Sequence, residues 1–133
     1  MTLFADPQCV SYFKRFRMEL DLAQVLPVPC LPASYAFLPW NDSLLQDHAD
    51  TLYSSFRECI DSVVFPSLGN PPGCFCLMTE ISRKSGFLPN ATWLLGSTSG
   101  YCGTVQGVCE LGGVGAIQNL GITPEYRGRG IPA

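Results

Sequence analysis

Apolar residues alternate with polar ones from the start of the interpretable pattern. Phe16, Met18, Leu20 and Leu22 fall on one face of a period-two stretch within residues 10–24, which predicts a strand with one wet side. Pro27, Pro29 and Pro32 break any regular element, so 25–33 reads as a linker or an extended edge crossing. Residues 35–40 form a short aromatic run that predicts a second strand ending at Pro39. The period then lengthens. Leu44, Leu45, His48, Leu52, Phe56 and Cys59 recur at three- and four-residue steps, the stripe of an amphipathic helix over 43–58 with Asn41 or Asp42 as its cap. Residues 65–73, rich in Pro and Gly, read as a loop. Phe75, Met78 and Ile81 predict a second helix over 74–84, with Arg83 and Lys84 suited to its C-terminal end. Strands are expected at 91–96, 101–109 and 114–123, joined by short Gly-containing turns that make neighbours antiparallel.

The expected class is therefore α+β (mixed α/β): an antiparallel three-strand meander with two helices packed on it. Residues 1–33 supply an N-terminal strand and Pro-rich linker, and 34–133 supply the domain. A length of 133 residues and 47% hydrophobic content allow one modest core. Eight basic against 11 acidic residues give a net charge of −3, which argues against non-specific nucleic-acid binding. Seven cysteines, an odd number without a Cys-x-x-Cys pair, form neither a disulfide framework nor a zinc motif; no metal site is expected. They read as reduced, mostly buried thiols of a cytoplasmic protein. No apolar run reaches the roughly 20 residues of a membrane span, and the N-terminus lacks the pattern of a signal peptide. His48, on or beside its helix stripe, reads as a partly buried core residue rather than a catalyst.

The chemistry concentrates at the end of the chain. An apolar strand stops at Pro124, and arginine and glycine then alternate through Arg127, Gly128, Arg129 and Gly130. Strand followed by Gly-rich basic turn is a way of presenting backbone N–H groups to a phosphate. No Gly-Lys-Ser/Thr follows, so this is not a P-loop, and no Gly-x-Gly-x-x-Gly precedes it, so it is not a dinucleotide fingerprint. The pattern Leu120-x-Ile122-x-Pro124-x-x-Arg127-Gly128-x-Gly130-Ile131 resembles the acetyl-CoA-binding motif of the GNAT superfamily of N-acetyltransferases. The order strand, two helices, three strands across 34–133 is similar to the N-terminal part of the GNAT fold.

The resemblance implies an acetyl-CoA-dependent N-acyltransferase in which an amine attacks the acetyl group directly. It implies that the backbone of Leu120, Gly121 and Ile122 pairs with the pantetheine arm. Arg127, Gly128, Arg129 and Gly130 would hold the pyrophosphate, and Ile131 and Pro132 belong to the same cofactor-binding motif. Pro132 stands where the family has a small residue, and it has no N–H to offer. The candidates for catalytic groups are Glu110, in a hairpin turn, and Gln118, which cannot take a proton at neutral pH; Glu125 reads as surface. Gln106 and Asn119 read as polar strand residues or as groups orienting substrate. The ending at Ala133, where the family's next helix would open, gives the expectation of a truncated acetyltransferase with little or no activity. Such a chain would keep an open, apolar strand edge. The alternative is accordingly a non-enzymatic half-domain that binds a partner, a second copy of itself among the candidates, through that edge.

Overall fold

The computed structural model describes residues 14, 16–24, 26–28 and 30–128. The architecture is α+β: a four-stranded antiparallel sheet in the order β1-β2-β3-β4, with helices on one face. The strands are β1 (Ala36–Pro39), β2 (Phe87–Ser97), β3 (Gly100–Glu110) and β4 (Val114–Ile122), and the helices are α1 (Leu45–Phe56), α2 (Ile60–Val64) and α3 (Pro71–Arg83). The expected three-strand meander is thus corrected to four strands. The short aromatic segment joins the sheet as its other edge, with Phe37 opposite Leu95 and Pro39 opposite Trp93. An edge is where a proline-ended strand belongs, because one side of its backbone needs no partner.

The strand expected within 10–24 does not form among the described residues, 10–13 and 15 lying outside them. Residues 16–21 are irregular, and Phe16 and Met18 remain 86% and 90% exposed. Alternation gives a chain two faces but no neighbour to pair with, and a lone strand is not stable in water.

The helices start and stop for local reasons. Asn41 Oδ1 accepts from Ser43 N–H (2.9 Å) to open a short 3-10 turn, Asp42–Leu44, that runs into α1. α1 ends at Phe56, short of the expected 58. Cys59 N–H bonds back to Phe56 C=O rather than to Ser55 C=O, and Ser55 C=O instead accepts from the Arg127 guanidinium at 2.6 Å. α3 begins three residues earlier than its apolar stripe predicts. Asn70 Oδ1 caps Gly73 N–H at 2.7 Å, and Pro71 and Pro72 occupy the first positions, where a missing N–H costs nothing. The breakers of 65–73 therefore mark a 3-10 turn (Pro66–Gly69) and a helix start, not a loop throughout.

Ala49 and Leu52 of α1 meet Cys74, Met78 and Ile81 of α3, Leu68 and Val108 in the core. Phe75, expected on the buried stripe, is instead exposed, because Cys74 takes the inward position. Cys74 and Cys102 are buried, Cys59 is half-buried, and Cys30, Cys76 and Cys109 are exposed, so fewer of the six described thiols are interior than composition predicts.

Candidate functional site: the free edge and open face of the last strand

Strand β4 lies at the sheet's edge, with β3 on one side. The pairing register sets Gly103 against Ile122, Val105 against Leu120 and Gln106 against Asn119, and then slips to Gly107 against Ile117. Gln118 is the residue left over, so β4 carries a bulge there. A bulge bends its strand and breaks the alternation of outward groups.

The direction of the β4 backbone follows from two bonds. Thr123 N–H donates to Cys102 C=O (2.8 Å), so residue 123 faces β3 and, by alternation, so does Gly121. Leu120 and Ile122 consequently turn their N–H and C=O groups to the free edge. Arg127 bears this out, because its Nε donates to Ile122 C=O at 2.9 Å from the outer side. The same guanidinium reaches Ser55 C=O (2.6 Å) and lies 3.8 Å from Cys59 Sγ. It binds the end of α1 to the end of β4, a cation placed where the helix presents unpaired carbonyls.

What remains of the outward backbone is a short notch. Leu120 N–H, Leu120 C=O and Ile122 N–H lie between the bulge at Gln118 and the guanidinium that occupies Ile122 C=O. A protein strand that continued across the edge would lose its register at the bulge and meet the guanidinium at the other end. A small extended ligand with an amide or two fits the space between.

Side chains along β4 divide by face. Gly121 points at α1, and a Cβ there would come within 2.8 Å of Ser55 Cβ and 3.0 Å of the Phe56 ring. Only glycine allows the helix to approach the strand so closely. Leu120 and Ile122 point to the opposite face, which no helix among the described residues covers. There an apolar hollow of ≈ 270 Å³ is lined by Phe37, Trp93, Leu95, Val105, Ile117, Leu120 and Ile122, with Gly103 at its floor. None of the side chains lining it is ionisable.

After β4 the chain makes a 3-10 turn, Pro124–Tyr126, and passes through Gly128 at φ +74°, the left-handed region that glycine enters freely. Tyr126 Oη is 3.0 Å from Ser97 Oγ, and its ring meets Tyr35 edge-on at 6.2 Å. The turn is therefore held through Tyr126 and Arg127.

Of the residues expected to hold the cofactor, Leu120 and Ile122 face the free edge and Arg127 and Gly128 follow in the turn, whereas Gly121 turns its backbone to β3 and has none to offer a ligand at the edge. Arg129, Gly130, Ile131 and Pro132 lie outside the described residues. The Arg127 guanidinium is directed back onto the domain, so its first task is to brace the turn. Glu110 is not brought to the notch. It is exposed at the far end of β3, five residues beyond Val105 and so roughly 17 Å from the residue facing Leu120. Gln118 is exposed on the bulge, two residues before the notch, and Glu125 is exposed in the turn.

A second polar cluster sits on the helix side of the sheet. His48 Nδ1 is 2.9 Å from Thr104 Oγ1 and 3.0 Å from Gln106 Nε2, and Gln106 Nε2 donates to Thr104 Oγ1 at 2.5 Å. His48 and Gln106 are fully buried, and Trp40 lies against the imidazole with ring centres 5.1 Å apart. Burial lowers the His48 pKa from 6.5 to about 4, so the ring is neutral at physiological pH. Burial together with the nearby Asp50 carboxylate raises the Cys74 thiol to about 11, which leaves it an unreactive core group. Asn119 lies beside Gln106 across the strand pair, half-buried. Gln106 is accordingly an interior residue and does not face the notch.

Sequence reasoning missed the hollow and the Ser97–Tyr126 brace. A signal for the first was present, since Trp93, Leu94 and Leu95 are apolar in succession, as expected of a strand with apolar groups on both faces. Ser97 and Tyr126 are 29 residues apart and carry no such signal.

Among the described residues, no helix is long and apolar enough to cross a membrane. No family model matches the chain, and comparison with curated proteins and with solved structures finds no match either.

Proposed function

We propose that the chain is an N-acyltransferase domain of GNAT type that receives acetyl-CoA along the free edge of β4, and that its sheet and helices are the N-terminal part of that fold. The observation that carries the reading is the notch at Leu120 and Ile122. It offers two N–H donors and one C=O acceptor in extended geometry, and the pantetheine arm of coenzyme A is an extended chain with two amides. The strand leads within a few residues to a glycine-containing turn with Arg127 and Gly128, where the cofactor's phosphates would follow. An N–H at the notch would polarise the thioester carbonyl for direct attack by an amine. A cytoplasmic location belongs to the same proposal.

The test is a calorimetric titration of acetyl-CoA into the wild-type chain and into Leu120→Pro. The Leu120 N–H faces outward, so proline removes a ligand donor without breaking a bond to β3. Saturable binding to the wild type, weakened about tenfold in the variant with unchanged circular dichroism, is the expected result. Equal binding by both, or none by either, refutes the proposal.

A second reading has one observation in its favour. Below the bulge, β4 carries no charge, turns the backbone of Gly115 and Ile117 outward, and leaves Ile117 68% exposed. These are the features of an unguarded edge, and they favour a non-enzymatic module that self-associates. A sedimentation mass that doubles with concentration and is indifferent to acetyl-CoA would select it.

A further inference from the structure

We propose that His48, Gln106 and Asn119 enclose one ordered water molecule that ties α1 to β4 directly behind the notch. Among the described residues, three buried side-chain polar atoms have no hydrogen-bond partner: His48 Nε2, Gln106 Oε1 and Asn119 Nδ2. Buried hydroxyls elsewhere satisfy themselves locally. Those of Thr51, Ser55 and Thr92 donate to the carbonyls of Asp47, Thr51 and Leu88 at 2.7, 2.7 and 2.8 Å. The three exceptions come from three elements, α1, β3 and β4, yet they belong to one cluster. Gln106 Nε2 is 3.0 Å from His48 Nδ1. Asn119 is the partner of Gln106 across the strand pair, so its side chain leaves the sheet on the same face. Gly121, two residues further on, also turns toward α1. Buried polar groups of native proteins are paired with protein or with ordered water, and three unpaired ones in one place call for a shared partner.

The donors and acceptors of the cluster say what that partner is. Gln106 Nε2 only donates, so His48 Nδ1 beside it is a bare nitrogen that accepts. Thr104 Oγ1 accepts from Gln106 and lies 2.9 Å from the same ring nitrogen, to which its hydroxyl can donate. The ring is neutral at physiological pH, and its single proton is therefore on Nε2. Two donors, His48 Nε2–H and Asn119 Nδ2–H, and one acceptor, Gln106 Oε1, remain. The imidazole cannot present both of its nitrogens to one amide, so its N–H needs a partner other than Gln106. Water accepts from both N–H groups and donates to the carbonyl, about three bonds being usual for a buried water. A cation would face two N–H donors and an anion would face the lone pairs of Gln106, so a neutral molecule fits. Asn119 stands between the bulge at Gln118 and the outward backbone of Leu120, which makes it a positioning residue for the edge. The inference rests on the polar cluster alone and needs no cofactor.

The experiment is NMR spectroscopy of the full chain, labelled with ¹⁵N, at about pH 7.5. The ring nitrogens of His48 should resonate as a bare Nδ1 and a protonated Nε2. The His48 Hε2 proton and an Asn119 Hδ2 proton should each show a nuclear Overhauser contact to water, with the sign that marks a long-lived, bound molecule. Asn119→Leu removes one donor and places apolar atoms at the site. It should abolish the water contact of His48 and speed hydrogen exchange at the Gly121 amide roughly fivefold to tenfold, the equivalent of one lost hydrogen bond. The wild-type readings decide the matter even where the variant does not fold. A ring protonated at Nδ1 means that Gln106 presents its carbonyl there, and overturns the inference. So does the absence of a bound-water contact at both residues, or an Asn119→Leu chain in which the water contact of His48 persists.

Discussion

Lowering the pH should destabilise this fold through His48. The folded-state pKa is about 4 against 6.5 in the unfolded chain. The unfolded state therefore binds the proton more readily, and stability falls as pH drops through 6.5 toward 4. Above pH 7.5 the imidazole is neutral in both states and the effect vanishes. A full separation of the two pKa values corresponds to about 3 kcal/mol, and the part realised between pH 8 and pH 5 is about 2 kcal/mol. The surroundings supply no counter-charge. Thr104 and Gln106 are neutral, and the Trp40 ring beside the imidazole is the one group described against it that attracts a cation, an offset of about 1–2 kcal/mol at this buried site. Urea denaturation at pH 8 and pH 5, followed by circular dichroism, should show a midpoint lower by on the order of 1 M at the acid pH. In His48→Gln, which keeps a polar group facing Gln106 and Thr104, that difference should largely disappear. A His48 that titrates near 6.5 by NMR, or a variant with the same pH slope as the wild type, would refute the reasoning.

Three further outcomes follow from the same contacts. Gly121→Ala forces a methyl group to 2.8 Å from Ser55 Cβ, so α1 must move from β4; thermal unfolding should report a loss of about 1–3 kcal/mol. Arg127→Ala removes the guanidinium from both Ile122 C=O and Ser55 C=O. Because this arginine is largely exposed, the expected loss is about 1–2 kcal/mol, with faster amide exchange in the turn at 124–128, read by hydrogen exchange. Tyr126→Phe, which deletes the hydroxyl beside Ser97, should cost about 1 kcal/mol by chemical denaturation while leaving the ring contact with Tyr35 in place.

The sequence was most legible where period and local chemistry agree. Leu52, Met78 and Ile81 sit at helical steps and are core residues, and the two hairpins of 87–122 follow from apolar runs broken by glycine. It misled at 16–22, where alternation has no partner strand to act on, and at 66–73, where Pro71 and Pro72 open a helix that their usual role as breakers conceals. For the candidate site, the segment 120–128 was legible as a strand and turn. The bulge at Gln118, the direction of the Leu120 and Ile122 backbones, and the use of Arg127 as a brace were not. Each depends on the register against β3 or on contact with Ser55, 72 residues earlier in the chain, and no local pattern records such a contact.

The central claim is that the backbone of Leu120 and Ile122 receives the amide arm of an acyl-CoA. The most direct measurement is a titration of ¹⁵N-labelled protein with acetyl-CoA, followed through backbone amide resonances. The Leu120 and Ile122 amides are expected to shift downfield and to saturate together with that of Gly128, while those of Phe37 and Leu38, at the opposite edge, move least. Saturable binding that leaves Leu120 and Ile122 unmoved, or no change at any amide, would contradict it.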